Sequence, residues 1–274
     1  MKSILFLFFI TISLSAQIRG VVKDSFSGEA IPYVNIWVEN ENIGTTTEMD
    51  GNFSISVNGK DKNLIFSALG YETRVLKQSD HMNVALSPKL YELNDVDVLM
   101  KKQSKYLEIG NVDHTILQAF DNGPKVEAKY FPYNSKYKKL KFIKKVTIFT
   151  DCRIDSASIK IRFFTVDSLG NPGNELLNKD FIVTVKKGVV KYKFDVSEFN
   201  LIMPTNGIFV AYEKLLIAEN KTSKGYQPYV LYNNIARDFY FVFSGGKWSK
   251  LTNKENPLEK LSINEPAINL ILTN

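Results

Sequence analysis

After its first sixteen residues the chain is patterned with a period of two, and no segment repeats its apolar residues at helical spacing. Successive strand residues point to opposite faces, whereas helical faces recur every third or fourth position, so this pattern confines the chain to β architecture. Phe53, Ile55 and Val57 alternate with Asn52, Ser54, Ser56 and Asn58; Val34, Ile36 and Val38 alternate with Tyr33, Asn35, Trp37 and Glu39. Leu64 to Leu69 is a compact apolar run, and Val84/Leu86 and Val96/Val98 are shorter alternating pieces. Turn chemistry separates them: Ser27-Gly28-Glu29, Met49-Asp50-Gly51, Asn58-Gly59 and Leu69-Gly70-Tyr71. Short strands broken by frequent turns predict an antiparallel sandwich rather than a parallel sheet.

The polar stretch Lys101 to Lys105 interrupts the pattern, which then resumes with longer strands. Ile159, Ile161 and Phe163 alternate with Lys160, Arg162 and Phe164. Phe181 to Val185 and Val189 to Val196 flank Lys186-Lys187-Gly188, a hairpin signal, and Ile208 to Tyr212, Phe239 to Phe243 and Ile268 to Leu272 follow. The expected organisation is a leader over 1–16, a β-sandwich over 17–100, a linker over 101–106 and a larger antiparallel, jelly-roll-like domain over 107–274.

The leader is read from Met1-Lys2-Ser3, the apolar run Ile4 to Leu14 and the small residues up to Ala16-Gln17. That is the layout of a secretory signal, and the run is shorter than the roughly 18 apolar residues a membrane span needs. Export follows, to the periplasm, the outer-membrane surface or the medium, with no transmembrane span in the mature chain.

The first block also resembles a known family. Ile18-Arg19-Gly20-Val21-Val22-Lys23-Asp24 is followed by Ser27-Gly28-Glu29-Ala30-Ile31-Pro32-Tyr33-Val34-Asn35-Ile36, then by Gly44-Thr45-Thr46-Thr47-Glu48-Met49-Asp50-Gly51-Asn52-Phe53 and Phe66-Ser67-Ala68-Leu69-Gly70-Tyr71-Glu72. Leu86-Ser87-Pro88 and Leu93-Asn94-Asp95-Val96-Asp97-Val98 close the block. In order and spacing, residues 18–98 resemble the carboxypeptidase regulatory-like domain. The resemblance implies a seven-stranded transthyretin-like sandwich found in exported proteins, including N-terminal extensions of TonB-dependent outer-membrane receptors. It implies a stabilising or protein-contact role, since the zinc chemistry in the family's name belongs to a separate catalytic domain. Glu48 stands where the family usually has Asp.

The remaining chemistry is sparse. One cysteine, Cys152, excludes an intramolecular disulfide and a Cys-x-x-Cys pair, and two histidines, His81 and His114, give little material for a catalytic zinc site. Gly-x-Ser-x-Gly, Walker and Gly-x-Gly-x-x-Gly motifs are absent, so no cofactor is expected. Asp167, Asn171 and Glu175 lie in an oxygen-rich loop that could hold calcium, but the same composition suits any tight turn. Six lysines fall within Lys136 to Lys145, which reads as a strand with a solvated lysine face; contact with an acidic glycan or anionic surface is a minority alternative, and nucleic acid is not expected of an exported chain.

Of the 34 aromatic residues (19 Phe, 13 Tyr and 2 Trp) most must be core, but Tyr226, Tyr229 and Tyr232 share a polar, Pro-containing stretch, and Trp248 follows the turn Gly245-Gly246. Rigid aromatics beside Asn and Gln suit sugar- or protein-binding surfaces. The sequence thus predicts a non-enzymatic binding or scaffolding protein of the cell envelope, recognising a glycan or an envelope protein through its second domain at Tyr226, Tyr229, Tyr232 and Trp248. The alternatives are a hydrolase with a carboxylate pair on that domain, or a structural accessory of an outer-membrane receptor.

Overall fold

A computed structural model describes residues 16–89, 105–110, 115–116, 123–235, 239–251 and 263–274. Leader residues 1–15, linker residues 101–104, the Val96/Val98 piece and His114 lie outside the described residues. Among the described residues no helix is long and apolar enough to cross a membrane.

The first block holds β1 (Ala16–Asp24), β2 (Asn35–Val38), β3 (Gly44–Thr46), β4 (Asn52–Val57), β5 (Asn63–Ser67), β6 (Arg74–Lys77) and β7 (His81–Leu86). One sheet runs β4-β1-β7, with β1 antiparallel to β4 and parallel to β7; the other runs β3-β2-β5-β6. The inward residues close one core: Ile18, Val22, Phe53, Ile55, Val84 and Leu86 from the first sheet against Val34, Ile36, Val38, Leu64 and Phe66 from the second. The Phe53 and Phe66 rings meet edge to face across it, 5.7 Å apart. Gly20 makes this possible, because a Cβ there would stand 2.7 Å from the Phe53 ring and 2.2 Å from the Met82 carbonyl. The alternation read from Tyr33 becomes a strand only at Asn35, since Tyr33 takes a left-handed φ of 57° and breaks the extended run.

The second block contains β8 (Tyr106–Ile109), β9 (Thr115–Ile116), β10 (Val126–Phe131), β11 (Phe142–Val166), β12 (Pro172–Glu175), β13 (Phe181–Asp195), β14 (Ile208–Lys214), β15 (Lys221–Thr222), β16 (Gly225–Tyr226), β17 (Tyr229–Val230), β18 (Tyr232–Ile235), β19 (Tyr240–Ser244), β20 (Lys247–Lys250), β21 (Ile263–Pro266) and β22 (Ile268–Thr273). A large sheet runs β20-β19-β10-β14-β11-β22-β8, with β12, β13 and β17 also on β11, and a small one runs β21-β18-β9. The chain is therefore all-β, built of multiple antiparallel sheets, as its alternation predicts.

Two local expectations are corrected. Lys186-Lys187-Gly188 is not a hairpin turn but the midpoint of the continuous strand β13. Its partner β11 shifts register between Cys152 and Ser156, and Gly188, with φ of 114°, absorbs the same bend on β13. The lysine run is not one strand either. Ser135–Lys139 forms a 3-10 turn capped by the Asn134 side chain, and β11 starts only at Phe142.

Candidate functional site

The strand β2 shows where the two blocks meet. All four of its residues are buried, including Asn35 and Trp37, which alternation places on the face opposite Ile36 and Val38. That face is covered by the second block. Trp37 joins a core cluster with Val126, Ala128, Phe164, Phe209, Ala211 and Phe241, and its ring meets Phe243 edge-on at 5.7 Å. The strands β10 and β14 are correspondingly buried along almost their whole length.

A buried polar network sits beside this cluster. Arg162 donates to both Glu175 oxygens (2.7 Å at its closest) and to Glu213 at 2.9 Å, while Asn35 Nδ2 donates to the other Glu213 oxygen at 2.8 Å. Lys160 Nζ lies 3.0 Å from Asp180 and 3.2 Å from the Tyr33 carbonyl. Burial pushes the Glu213 carboxyl up, but the Lys160 and Arg162 charges and the hydrogen bonds from Asn35 and Arg162 outweigh it, so Glu213 titrates below its ordinary range. Arg162, despite the cost of burial, is held more firmly charged than usual by Glu175 and Glu213.

Alongside the joint opens a groove of about 550 Å³. It lies between β3 and β4, each the end strand of its sheet, and its far wall is Leu216, Ala218, Lys221 and Tyr226 of the second block. Glu48 bridges the two walls, accepting a hydrogen bond from the Ala218 N–H at 2.7 Å. The turn after Glu48 takes its side-chain bonds from Asp50, whose carboxylate accepts from the Asn52 N–H and Nδ2. The longer side chain at 48 is thus free to reach across.

The structure disperses the four aromatics picked out in the sequence. Tyr226 lines the groove. Tyr229 is half-buried between two cations, Lys214 Nζ at 5.0 Å and the Arg153 guanidinium at 5.6 Å from its ring centre. Tyr232 is buried, and its hydroxyl and that of Tyr240 both donate to Glu127, with Lys125 Nζ 3.0 Å from the same carboxylate. Burial, then the Glu127 charge, raises the Tyr240 hydroxyl well above its ordinary range. Trp248 packs edge-on against Phe164 and Phe243 at 5.4 and 5.3 Å, so it buttresses the joint. A Pro-containing polar stretch was expected to stay at the surface; Tyr232 goes inside because Glu127 waits there to receive its hydroxyl.

The oxygen-rich loop is used as a turn. The Asp167 carboxylate accepts from the N–H groups of Leu169 and Asn171, both at 2.8 Å, and Glu175 is occupied by Arg162. Cys152 is buried, its thiol donating to the Ile154 carbonyl at 3.3 Å, with burial raising its pKa. His81 is exposed at the start of β7.

The residues that sequence reasoning passed over are the polar Asn35 and the charged Lys129, Lys160, Arg162, Glu213 and Glu265. Lys129 and Glu265 are fully buried and paired at 2.8 Å, with Lys129 Nζ also donating to the carbonyls of Gly110 and Ile268. A charged residue in the middle of a strongly apolar strand, as in Val126-Glu127-Ala128-Lys129-Tyr130-Phe131, was the available signal.

Comparison with known proteins agrees with the motif reading of the first block. Residues 18–98 match the CarboxypepD_reg-like domain family. The chain is 31% identical over 131 residues to TonB-dependent receptor P3 of Formosa agariphila, covering 44% of this chain and 13% of the receptor. It is 34% identical over 100 residues to TonB-dependent receptor SusC of Bacteroides thetaiotaomicron, covering 35% of this chain and 10% of that one. This chain thus spans only about a tenth of the length of these receptors. Solved structures of DUF3823 family proteins from Parabacteroides merdae and Bacteroides ovatus align at 14% and 12% identity, over 73% and 93% of this chain and 99% and 100% of theirs, both with a TM-score of 0.22. The family resemblance read from the order of the motifs is borne out over the same residues, 18–98, where the chain carries a CarboxypepD_reg-like domain.

Proposed function

We propose that this chain is an exported, envelope-associated, non-catalytic binding and scaffolding protein, in which the CarboxypepD_reg-like sandwich and a larger β-domain over 107–274 work as one clamped platform. The observation that carries this is the joint itself, where β2 is buried on both faces and Asn35 bonds across it to Glu213, which Arg162, held in turn by Glu175, braces from within the second block. The carboxylates of this network do not suit the pair that the hydrolase alternative needs. Glu175 and Glu213 flank Arg162, but a general acid needs a raised pKa, whereas Glu213 is lowered and buried.

Similarity to two TonB-dependent receptors supports an envelope location, and favours the second reading of a structural accessory to an outer-membrane receptor. Of the four aromatics, Tyr226 is the binding residue this reading keeps, because it faces an open groove. Fractionation of cells expressing the tagged full chain should place it in the envelope with a co-purifying partner. Recovery in the cytoplasm with residues 1–16 retained, or turnover of a polysaccharide or peptide panel by the purified protein, would overturn the proposal.

A further inference from the structure

Main-chain groups along the groove follow a pattern that side-chain reasoning passes over. In a strand, the N–H and C=O of one residue point to the same edge, and the next residue points to the opposite one. The Asn52 carbonyl accepts from the Glu48 N–H at 2.8 Å, while the Gly51 carbonyl accepts from the Val22 N–H of β1 at 2.9 Å. Asn52 is therefore turned away from β1. Alternation then turns Ser54 and Ser56 outward as well, leaving Phe53, Ile55 and Val57 to pair with β1. The edge of β3 has the matching phase. Ile43 and Thr47 bond toward β2, through Val38, Tyr33 and Val34, so Gly44 and Thr46 face out. Two rows of main-chain donors and acceptors thus border one groove, with Phe53 and Ile55 among its lining residues.

One end of this groove already holds an extended segment of the chain itself. Leu216 N–H donates to Thr46 Oγ1 at 3.1 Å and Ala218 N–H to Glu48 Oε1 at 2.7 Å, with Ile217 between them in extended conformation. Both acceptors are side-chain oxygens, so this segment lies along the groove without extending the main-chain ladder of β3. We propose that the remainder of the groove receives an extended peptide segment of a partner protein, added as a strand along the outer edge of β4, with Lys221 and Tyr226 as the far wall. This rests on the binding and scaffolding reading and names its partner class. It also gives the joint a purpose, because the far wall exists only while the second block is clamped to β2.

The test uses the full chain as bait for a phage-displayed random hexapeptide library, with enriched peptides resynthesised and their Kd measured. N-methylation of alternate peptide amides should weaken binding at least ten-fold, and methylation of the intervening amides should not. Ser54→Pro should weaken it equally, since proline there removes an outward N–H, along with the exposed hydroxyl that accepts from Gln17 at 3.0 Å, and spares the main-chain ladder with β1; a thermal melt checks that the variant folds, and the N-methyl series on the unaltered chain stands without it. No enriched peptide, affinity indifferent to N-methylation, or a neutral oligosaccharide that competes for the groove would overturn the inference. Retention of an envelope partner by folded Ser54→Pro would overturn strand addition while leaving the scaffold reading in place.

Discussion

Two strands of the same small sandwich, β2 and β4, have the same kind of sequence and opposite fates. In β4 the apolar residues Phe53, Ile55 and Val57 are buried and Asn52, Ser54 and Ser56 are exposed. In β2 the alternation is just as regular, yet Asn35 and Trp37 on the second face are as buried as Ile36 and Val38. Period two states that a strand has two faces and which of them is more apolar. It does not state what lies over the other. Here the cover is a second block, and it turns a family domain that folds around one core into half of a larger body.

Trp37 offers the hardest way to break that comparison. It is 4% exposed and belongs to the core shared by the blocks, while the sandwich's own core is made by other residues. Trp37→Ala should cost about 3–5 kcal/mol, as large aromatic truncations in cores do, and denaturant unfolding should show the blocks separating into two transitions. Trp37→Phe should cost far less, because the indole Nε1 is buried with no hydrogen-bond partner among the described residues. A single unshifted transition for Trp37→Ala would mean that the covered face contributes nothing to holding the blocks together.

Glu213 comes next. Glu213→Gln keeps the shape but removes the charge opposite Arg162 and near Lys160, and should cost about 2 kcal/mol on the scale of charge-assisted hydrogen bonds. Its pH dependence has a definite sign. Glu213 is lowered from an ordinary value of 4.5, so its contribution is complete above that pH and is lost as the pH falls through the lower folded value. The unaltered chain should therefore lose more stability than Glu213→Gln between pH 5 and pH 3, about the carboxylate range. Parallel acid limbs for the two proteins would show that Glu213 is not charged in the folded joint.

These effects also mark what was legible beforehand. The strand grammar, the sandwich over 18–98 and its family were readable, because local alternation and turn residues determine them. The joint was not, because its partners are distant in sequence: Asn35 bonds to Glu213, and Trp37 meets Phe243. Two local signs pointed to it nonetheless. A tryptophan shared a face with Asn35 and Glu39 at 37, and a glutamate stood at 48 where the family usually has the shorter Asp. Each proved to reach the second block. The hairpin expected at Gly188 failed for a related reason. Glycine marks a place where the backbone must bend, and only the partner strand decides whether the bend becomes a turn or a bulge.

The smallest effect sharpens the comparison from the other side. Ser56 belongs to the exposed face of β4, where a larger side chain meets solvent rather than core. Ser56→Thr adds a β-branch that suits an extended backbone, so its melting temperature should move up slightly or stay put, within about 0.5 kcal/mol. At the buried position Asn35, the near-isosteric Asn35→Leu should destabilise by more than 1 kcal/mol, about the cost of an unpaired buried acceptor, since it leaves Glu213 Oε1 without its donor. If the two substitutions had equal effects, β2 and β4 would be equivalent strands and the second block would be a passenger rather than a cover. The difference between them is therefore a direct measure of how firmly the family domain is clamped, and with it of how well defined the groove beside the joint can be.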